Sequence, residues 1–148
     1  MPHAGEITLL TWNPDRFDWG EEYLEAIDKT SRGNHMDGDW STGGRKTGLQ
    51  PGDVAFPRRQ GTQGHGIVAR GEVTSEIFRE PLFANPDEVG NYVLIRWERV
   101  VSVEDALSTE KLKTEMPEVN WDRLQMSGTF LKPELHDRLE QLWAENSR

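Results

Sequence analysis

The sequence predicts an α+β fold in which a small barrel or curled β-sheet is flanked by helices. Three observations carry the prediction: a helical pattern near the start, several strand-like runs in the middle, and a second helical pattern at the end. A chain of 148 residues is about one domain's worth and can bury roughly two-thirds of its unfolded surface. Residues 1–148 are therefore expected to form one domain.

The elements follow in order. Ile7-Thr8-Leu9-Leu10-Thr11-Trp12 is a short apolar run rich in strand formers. It ends at Asn13-Pro14-Asp15, where the proline restricts the residue before it, so this is the predicted first strand. Asp18 followed three residues later by Glu21 fits a helix start, and Tyr23, Leu24 and Ile27 then share one face, predicting a helix near 20–30. The stretch from Ser31 to Gly48 is rich in Gly, Asp, Ser and Thr around one conspicuous Trp40, and reads as a long loop of the kind that often carries function. The turn Leu49-Gln50-Pro51-Gly52-Asp53 leads into a strand at Val54-Ala55-Phe56. Runs at Gly66–Thr74 and Tyr92–Trp97 predict two more strands. In the tail, Leu135, Leu139, Leu142 and Trp143 fall at i, i+4, i+7 and i+8 behind Pro133, predicting an amphipathic terminal helix. There is no internal repeat and no low-complexity segment.

Composition narrows the function. The chain has no cysteine, which removes disulfides, thiolate metal sites and thiol nucleophiles, and fits a cytoplasmic protein. No run approaches the roughly twenty apolar residues of a membrane span, and the start Met1-Pro2-His3-Ala4-Gly5-Glu6 is unlike a signal peptide, so no membrane partner is expected. The net charge of -9 argues against indiscriminate binding to phosphate backbones. Its distribution is uneven: residues 1–39 carry three basic and nine acidic side chains, residues 40–71 five and one, and residues 72–148 nine and sixteen. The middle segment, with Arg45, Lys46, Arg58, Arg59 and Arg70 against Asp53, is read as a local anion-facing surface, although charge blocks are often only solvated faces.

Most local signatures fail. His3, His35, His65 and His136 are too scattered for a zinc motif on one helix, and no metal or other cofactor is expected. Asp37-Gly38-Asp39 begins like a calcium loop, but the remainder of that pattern does not follow. Gly43-Gly44-Arg45-Lys46-Thr47-Gly48 has arginine where a P-loop needs glycine before the lysine. Gly61-Thr62-Gln63-Gly64-His65-Gly66, after Arg58-Arg59-Gln60, could cradle a phosphate or simply turn between strands. Six tryptophans are many for a core this size. Trp97 and Trp143 sit in apolar patterns and read as core. Trp12 and Trp121 fit either role, and Trp40 beside the basic segment fits a stacking platform for a base as well as core packing.

Taken in order, Thr11-Trp12-Asn13-Pro14, Trp40, Gly52-Asp53 with Phe56, Arg59-Gln60-Gly61 and Gly66–Gly71, then Tyr92–Trp97, Trp121, Ser127-Gly128-Thr129 and Leu142-Trp143, the chain resembles the EVE domain of the PUA-like superfamily. The likeness spans nearly the whole chain and is greatest to the variant attached to HNH nucleases in modification-dependent restriction. It implies a PUA-like curled β-barrel with flanking helices and a pocket for a base swung out of its strand. Trp40-Ser41-Thr42 is similar to the stretch of the related YTH readers whose tryptophan walls the cage around a methyl group. The other walls of that cage would fall to Phe78 and Phe83.

The resemblance therefore implies a base pocket of Trp40, Ser41, Asn13, Trp12, Phe83 and Ser127, with Arg45, Lys46, Arg58, Arg59 and Gln60 on phosphates. In this reading Trp40 stacks on the base, and Asn13 or Ser127 reads its edge. The implied ligand is 5-methylcytosine or 5-hydroxymethylcytosine, in DNA ahead of RNA, and the implied partner is a nuclease acting in trans or fused in relatives. Extruding a base costs a few kcal/mol, which stacking of about 1–3 kcal/mol and edge hydrogen bonds must offset. The expected activity is binding without turnover. Two alternatives stand beside it: an amidohydrolase like the ASCH domains of the same superfamily, with Lys46 as base and Thr47 as nucleophile, and a protein-interaction module.

Overall fold

A computed structural model describes residues 5–14, 19–60, 66–81, 87–123 and 128–147. A mixed sheet runs through them, flanked by three α-helices among the described residues. Its strands are β1 (Ile7–Trp12), β2 (Met36–Gly43), β3 (Val54–Arg59), β4 (Gly66–Ile67), β5 (Ala69–Val73), β6 (Phe78–Pro81), β7 (Val89–Val100), β8 (Leu107–Ser108) and β9 (Thr129–Phe130). The helices are α1 (Gly20–Ser31), α2 (Thr109–Glu115) and α3 (His136–Asn146), with 3-10 turns at Val103–Asp105, Trp121–Arg123 and Pro133–Leu135. The main path through the sheet is β2-β7-β5-β3-β1-β9. Among the described residues only the β1–β3 pairing is parallel, and the other pairings are antiparallel.

The middle of the sheet is buried on both faces, and the two-residue period of a strand divides its side chains between two cores. Ile7, Leu9 and Phe56 face the first, with Leu112, Met116, Trp121, Leu139 and Trp143 from the C-terminal half. Leu10, Trp12 and Ala55 face the second, with Ala26 of α1, Trp19, Trp40, Val93, Ile95 and Trp97. Arg58 shares a face with Phe56, whereas Arg59 shares a face with Ala55, because adjacent residues of one strand point to opposite sides.

Two glycines let the second core close. Gly38 on β2 leaves room for the Trp97 indole, since a Cβ there would stand 2.9 Å from Nε1. Gly71 on β5 does the same from the other side: its Cβ would come 2.8 Å from Trp97 Cε3 and 2.5 Å from Ile95 Cγ2. Helix α1 crosses this core, and Thr30 fixes its last turn by donating to the Ala26 carbonyl (2.7 Å) and accepting from the Val100 N–H (2.9 Å).

Several expectations need correction. The stretch Ser31–Gly48 is not one long loop, because residues 36–43 form edge strand β2 paired with β7. The run Gly66–Thr74 divides at Val68, where β4 turns away from β5 to pair with β8. On α1 the inward face is Tyr23, Ala26, Ile27 and Thr30, while Leu24 is 66 % exposed. Asp18, expected at the start of that helix, lies outside the described residues. Gly128 leads into β9. The terminal helix forms as expected, with a 3-10 turn at Pro133–Leu135 ahead of it. Among the described residues no helix is long and apolar enough to cross a membrane.

Candidate functional site

Strands β1 and β3 end together. Trp12 lies beside Arg59 in the parallel register, and the Gln60 N–H donates to the Trp12 carbonyl (2.7 Å). This brings Trp12, Asn13, Arg59 and Gln60 to one end of the sheet, with Asn13, Arg59 and Gln60 half-buried. The Arg59 guanidinium carbon stands 5.4 Å from the Trp12 ring centroid, within cation–π range. From β2, the Trp40 indole N–H donates to the Thr11 carbonyl (3.1 Å), bringing that strand to the same end. After β2 the chain turns through Gly44-Arg45-Lys46, and Arg45 donates from Nε to the Gly128 carbonyl (2.6 Å).

Aromatic rings back this end. Trp19 stacks on Tyr23 (4.9 Å between centroids) and meets Trp12, Trp40 and Trp97 at 5.5, 4.8 and 5.3 Å. The Tyr23 hydroxyl donates to the Val101 carbonyl. Burial, followed by the carboxylates of Glu104 and Asp105, pushes the phenol well above its ordinary value, against the opposing pull of Arg59. Trp19 and the burial of Tyr23 at this site were not foreseen. The signal available was the tryptophan count itself, since Trp19 is the one indole that no sequence pattern had placed.

The structure sorts the expected site residues. Trp40 is 4 % exposed and packed edge-on between Trp19 and Trp97, so it lies in the core and not on an open platform. Ser41 points to the opposite, exposed face of β2, together with its cross-strand neighbour Tyr92 and the Phe78 ring that packs on Tyr92. Arg58 does not face a phosphate. It is 5 % exposed and donates to the Trp121 carbonyl (2.7 Å) and the Thr109 hydroxyl (3.3 Å), and its Nε has no partner among the described residues. Burial lowers its pKa, which the Asp122 carboxylate only partly opposes.

Arg70, counted in the basic segment, is bound to Glu98 and by two bonds to Glu140 of α3 (2.6 and 2.7 Å). Asp53 is buried and accepts from the N–H groups of Glu6 and Gln50. Of the basic segment, Arg45 and Arg59 are half-buried and Lys46 is exposed. Phe83, Ser127 and residues 61–65 lie outside the described residues.

A curled mixed sheet flanked by helices is the PUA-like fold. The sequence matches no family model and no curated protein. Solved structures do match. A hypothetical protein from Leishmania major aligns over 100 % of both chains with a TM-score of 0.66 at 14 % identity. Human THYN1 protein, in complex with 5-methylcytosine containing DNA, aligns over 93 % of this chain and 97 % of its own, with a TM-score of 0.60 at 16 % identity. The Mmi1 YTH domain aligns over 99 % of this chain and 80 % of its own, with a TM-score of 0.54 at 14 % identity. At these identities the likeness establishes the fold.

Proposed function

We propose that the protein is an EVE-type reader that binds nucleic acid without turnover and captures a flipped modified cytosine, 5-methylcytosine or 5-hydroxymethylcytosine in DNA. The observation that carries this reading is the convergence of Trp12, Asn13, Arg59 and Gln60 at one end of the sheet, in a fold shared with a protein solved on DNA containing 5-methylcytosine.

Trp12 is 6 % exposed and Arg59 lies over its ring, so a base reaches that ring, at the ends of β1 and β3, only where Arg59 moves aside. Such a cation–π contact is worth about 0.5–1 kcal/mol at an exposed site and about 2 kcal/mol when desolvated, no more than the roughly 1–3 kcal/mol of a stacked base. Arg59 can therefore exchange the ring for a flanking phosphate while the base takes its place on Trp12. Asn13 and Gln60 carry the amides that read the base edge, and the exposed Lys46 contributes charge from the neighbouring turn. Lys46 and Thr47 are both exposed, which supports a binding role for that turn over a catalytic one. A nuclease acting in trans would supply any cleavage.

The test is affinity, followed by tryptophan fluorescence, for matched oligonucleotides carrying cytosine, 5-methylcytosine, 5-hydroxymethylcytosine or N6-methyladenine. Single strands and duplexes are compared at one salt concentration. One modified cytosine should be preferred, and Asn13→Ala or Gln60→Ala should reduce that preference about tenfold, the worth of one good hydrogen bond. Equal affinity across the panel, or no binding at high micromolar concentration, would sink the reading. Trp40→Ala is a poor probe, because removing a core indole destabilises the whole protein.

A further inference from the structure

Strands β2 and β9 stand at opposite ends of the path through the sheet, and one side chain joins them. Arg45, just beyond β2, donates from Nε to the Gly128 carbonyl (2.6 Å) and from Nη1 to the Thr47 carbonyl (3.2 Å). Its guanidinium carbon lies 4.4 Å from the centroid of the Phe130 ring on β9. The turn that presents it is anchored by the buried Thr42, whose hydroxyl donates to the Arg45 carbonyl (2.8 Å) and whose carbonyl accepts from the Arg45 N–H (3.1 Å).

Gly128 is shaped to the contact. Its φ of 90° favours glycine, and a Cβ there would stand 3.2 Å from Arg45 Cδ and 3.3 Å from Nε. The Gly128 N–H then donates to the Leu9 carbonyl (3.0 Å), so the chain of contacts runs from β2 through Arg45 to β9 and on to β1.

We infer that Arg45 is a positioning residue, a clasp that joins the two edges of the curled sheet and fixes the rim of the base site, and is not one of the phosphate contacts. The second half of the inference rests on the base-reading proposal; the clasp itself does not. Arginine suits the task because a planar guanidinium donates within its plane while its face lies on an aromatic ring, which an ammonium group cannot do. Lysine at this position keeps the charge and loses the geometry.

Two measurements on the full chain test it, with Arg45→Ala and Arg45→Lys beside the wild type. The first needs no ligand: amide hydrogen exchange at Gly128, with the Val54 amide, which donates to the Glu6 carbonyl, as an internal reference. Both variants should exchange about tenfold faster or more at Gly128 and be unchanged at Val54, the signature of local opening. The second is affinity against salt for oligonucleotides with 5-methylcytosine or cytosine at one position. Both variants should lose at least about fivefold in preference for the modified base while the slope of log affinity on log salt stays constant; Lys46→Ala should reduce that slope by about 0.7–0.9.

Unchanged exchange at Gly128 overturns the clasp. A slope reduced by about one phosphate contact in Arg45→Ala and restored in Arg45→Lys overturns the positioning role in favour of a phosphate ligand. If the wild type binds none of the oligonucleotides, the proposed function falls, and the exchange experiment still decides the clasp.

Discussion

Arg58 and Arg59 are neighbours in one strand, yet they belong to different halves of the molecule. On the face of Arg58 the sheet is covered by the C-terminal elements, and the guanidinium is committed to the Trp121 carbonyl and Thr109. On the face of Arg59 the cover is α1 and a cluster of four tryptophans, and the guanidinium rests on Trp12 at the end of the strands. The pleat alone makes this division. One face uses a buried charge to organise backbone, and the other sets a cation against the ring of an indole.

Four experiments bear on that comparison, from the largest effect to the smallest. Trp97→Ala removes the most enclosed ring of the aromatic face, 1 % exposed, and should cost about 3–5 kcal/mol in chemical denaturation; a loss below about 1 kcal/mol would mean that this core is loosely packed. Arg58→Ala leaves the Trp121 carbonyl and Thr109 without their donor in the interior and should cost about 2–4 kcal/mol, more than Arg59→Ala, whose side chain is half-buried beside Trp12. The functional effects should invert: Arg59→Ala weakens oligonucleotide binding, while the volume-keeping Arg58→Met leaves preference among bases intact. Equal costs for the two alanine variants would erase the distinction between the faces.

Tyr23 gives a pH signature confined to the aromatic face. Its folded pKa is raised, chiefly by burial, so the stabilisation is complete below the unfolded value of about 10 and is lost as pH rises above it. Tyr23→Phe should flatten that part of the alkaline slope in urea titrations, and an unaltered slope would show the hydroxyl to be solvated. On the other face, the Lys113 hydrogen bond holds the exposed Asp122 carboxylate below its ordinary pKa. That contribution is present above the unfolded value and is lost as pH falls through the folded one. Lys113→Ala should raise the Asp122 midpoint in a carboxyl NMR titration with little change in stability.

What the sequence disclosed, and what it hid, follows the same physics. Ile7–Trp12 and Tyr92–Trp97 were legible because central strands need unbroken runs of strand formers. Strand β2 was hidden because an edge strand with one solvated face can be built from Asp37, Gly38, Asp39 and Ser41, residues that also make loops. Helix α2, seven residues with Leu112 and Thr109 buried, has too few apolar positions to show a period. The site was half legible. Tryptophan number and the cluster of basic residues marked the region, but which side of a strand each residue takes depends on register, so Arg58 and Ser41 were placed with the wrong neighbours.

Trp97 leaves one more consequence. The strands on either side of β7 each turn a bare backbone toward its indole, Gly38 at the five-membered ring and Gly71 at the six-membered ring. Three positions far apart in the chain are thereby bound into a single evolutionary unit. Relatives that carry a side chain at 38 should carry something smaller than tryptophan at 97, and those that carry one at 71 should also carry something smaller than isoleucine at 95. Lineages that keep the tryptophan should hold both glycines fixed, even while the exposed residues beside them drift.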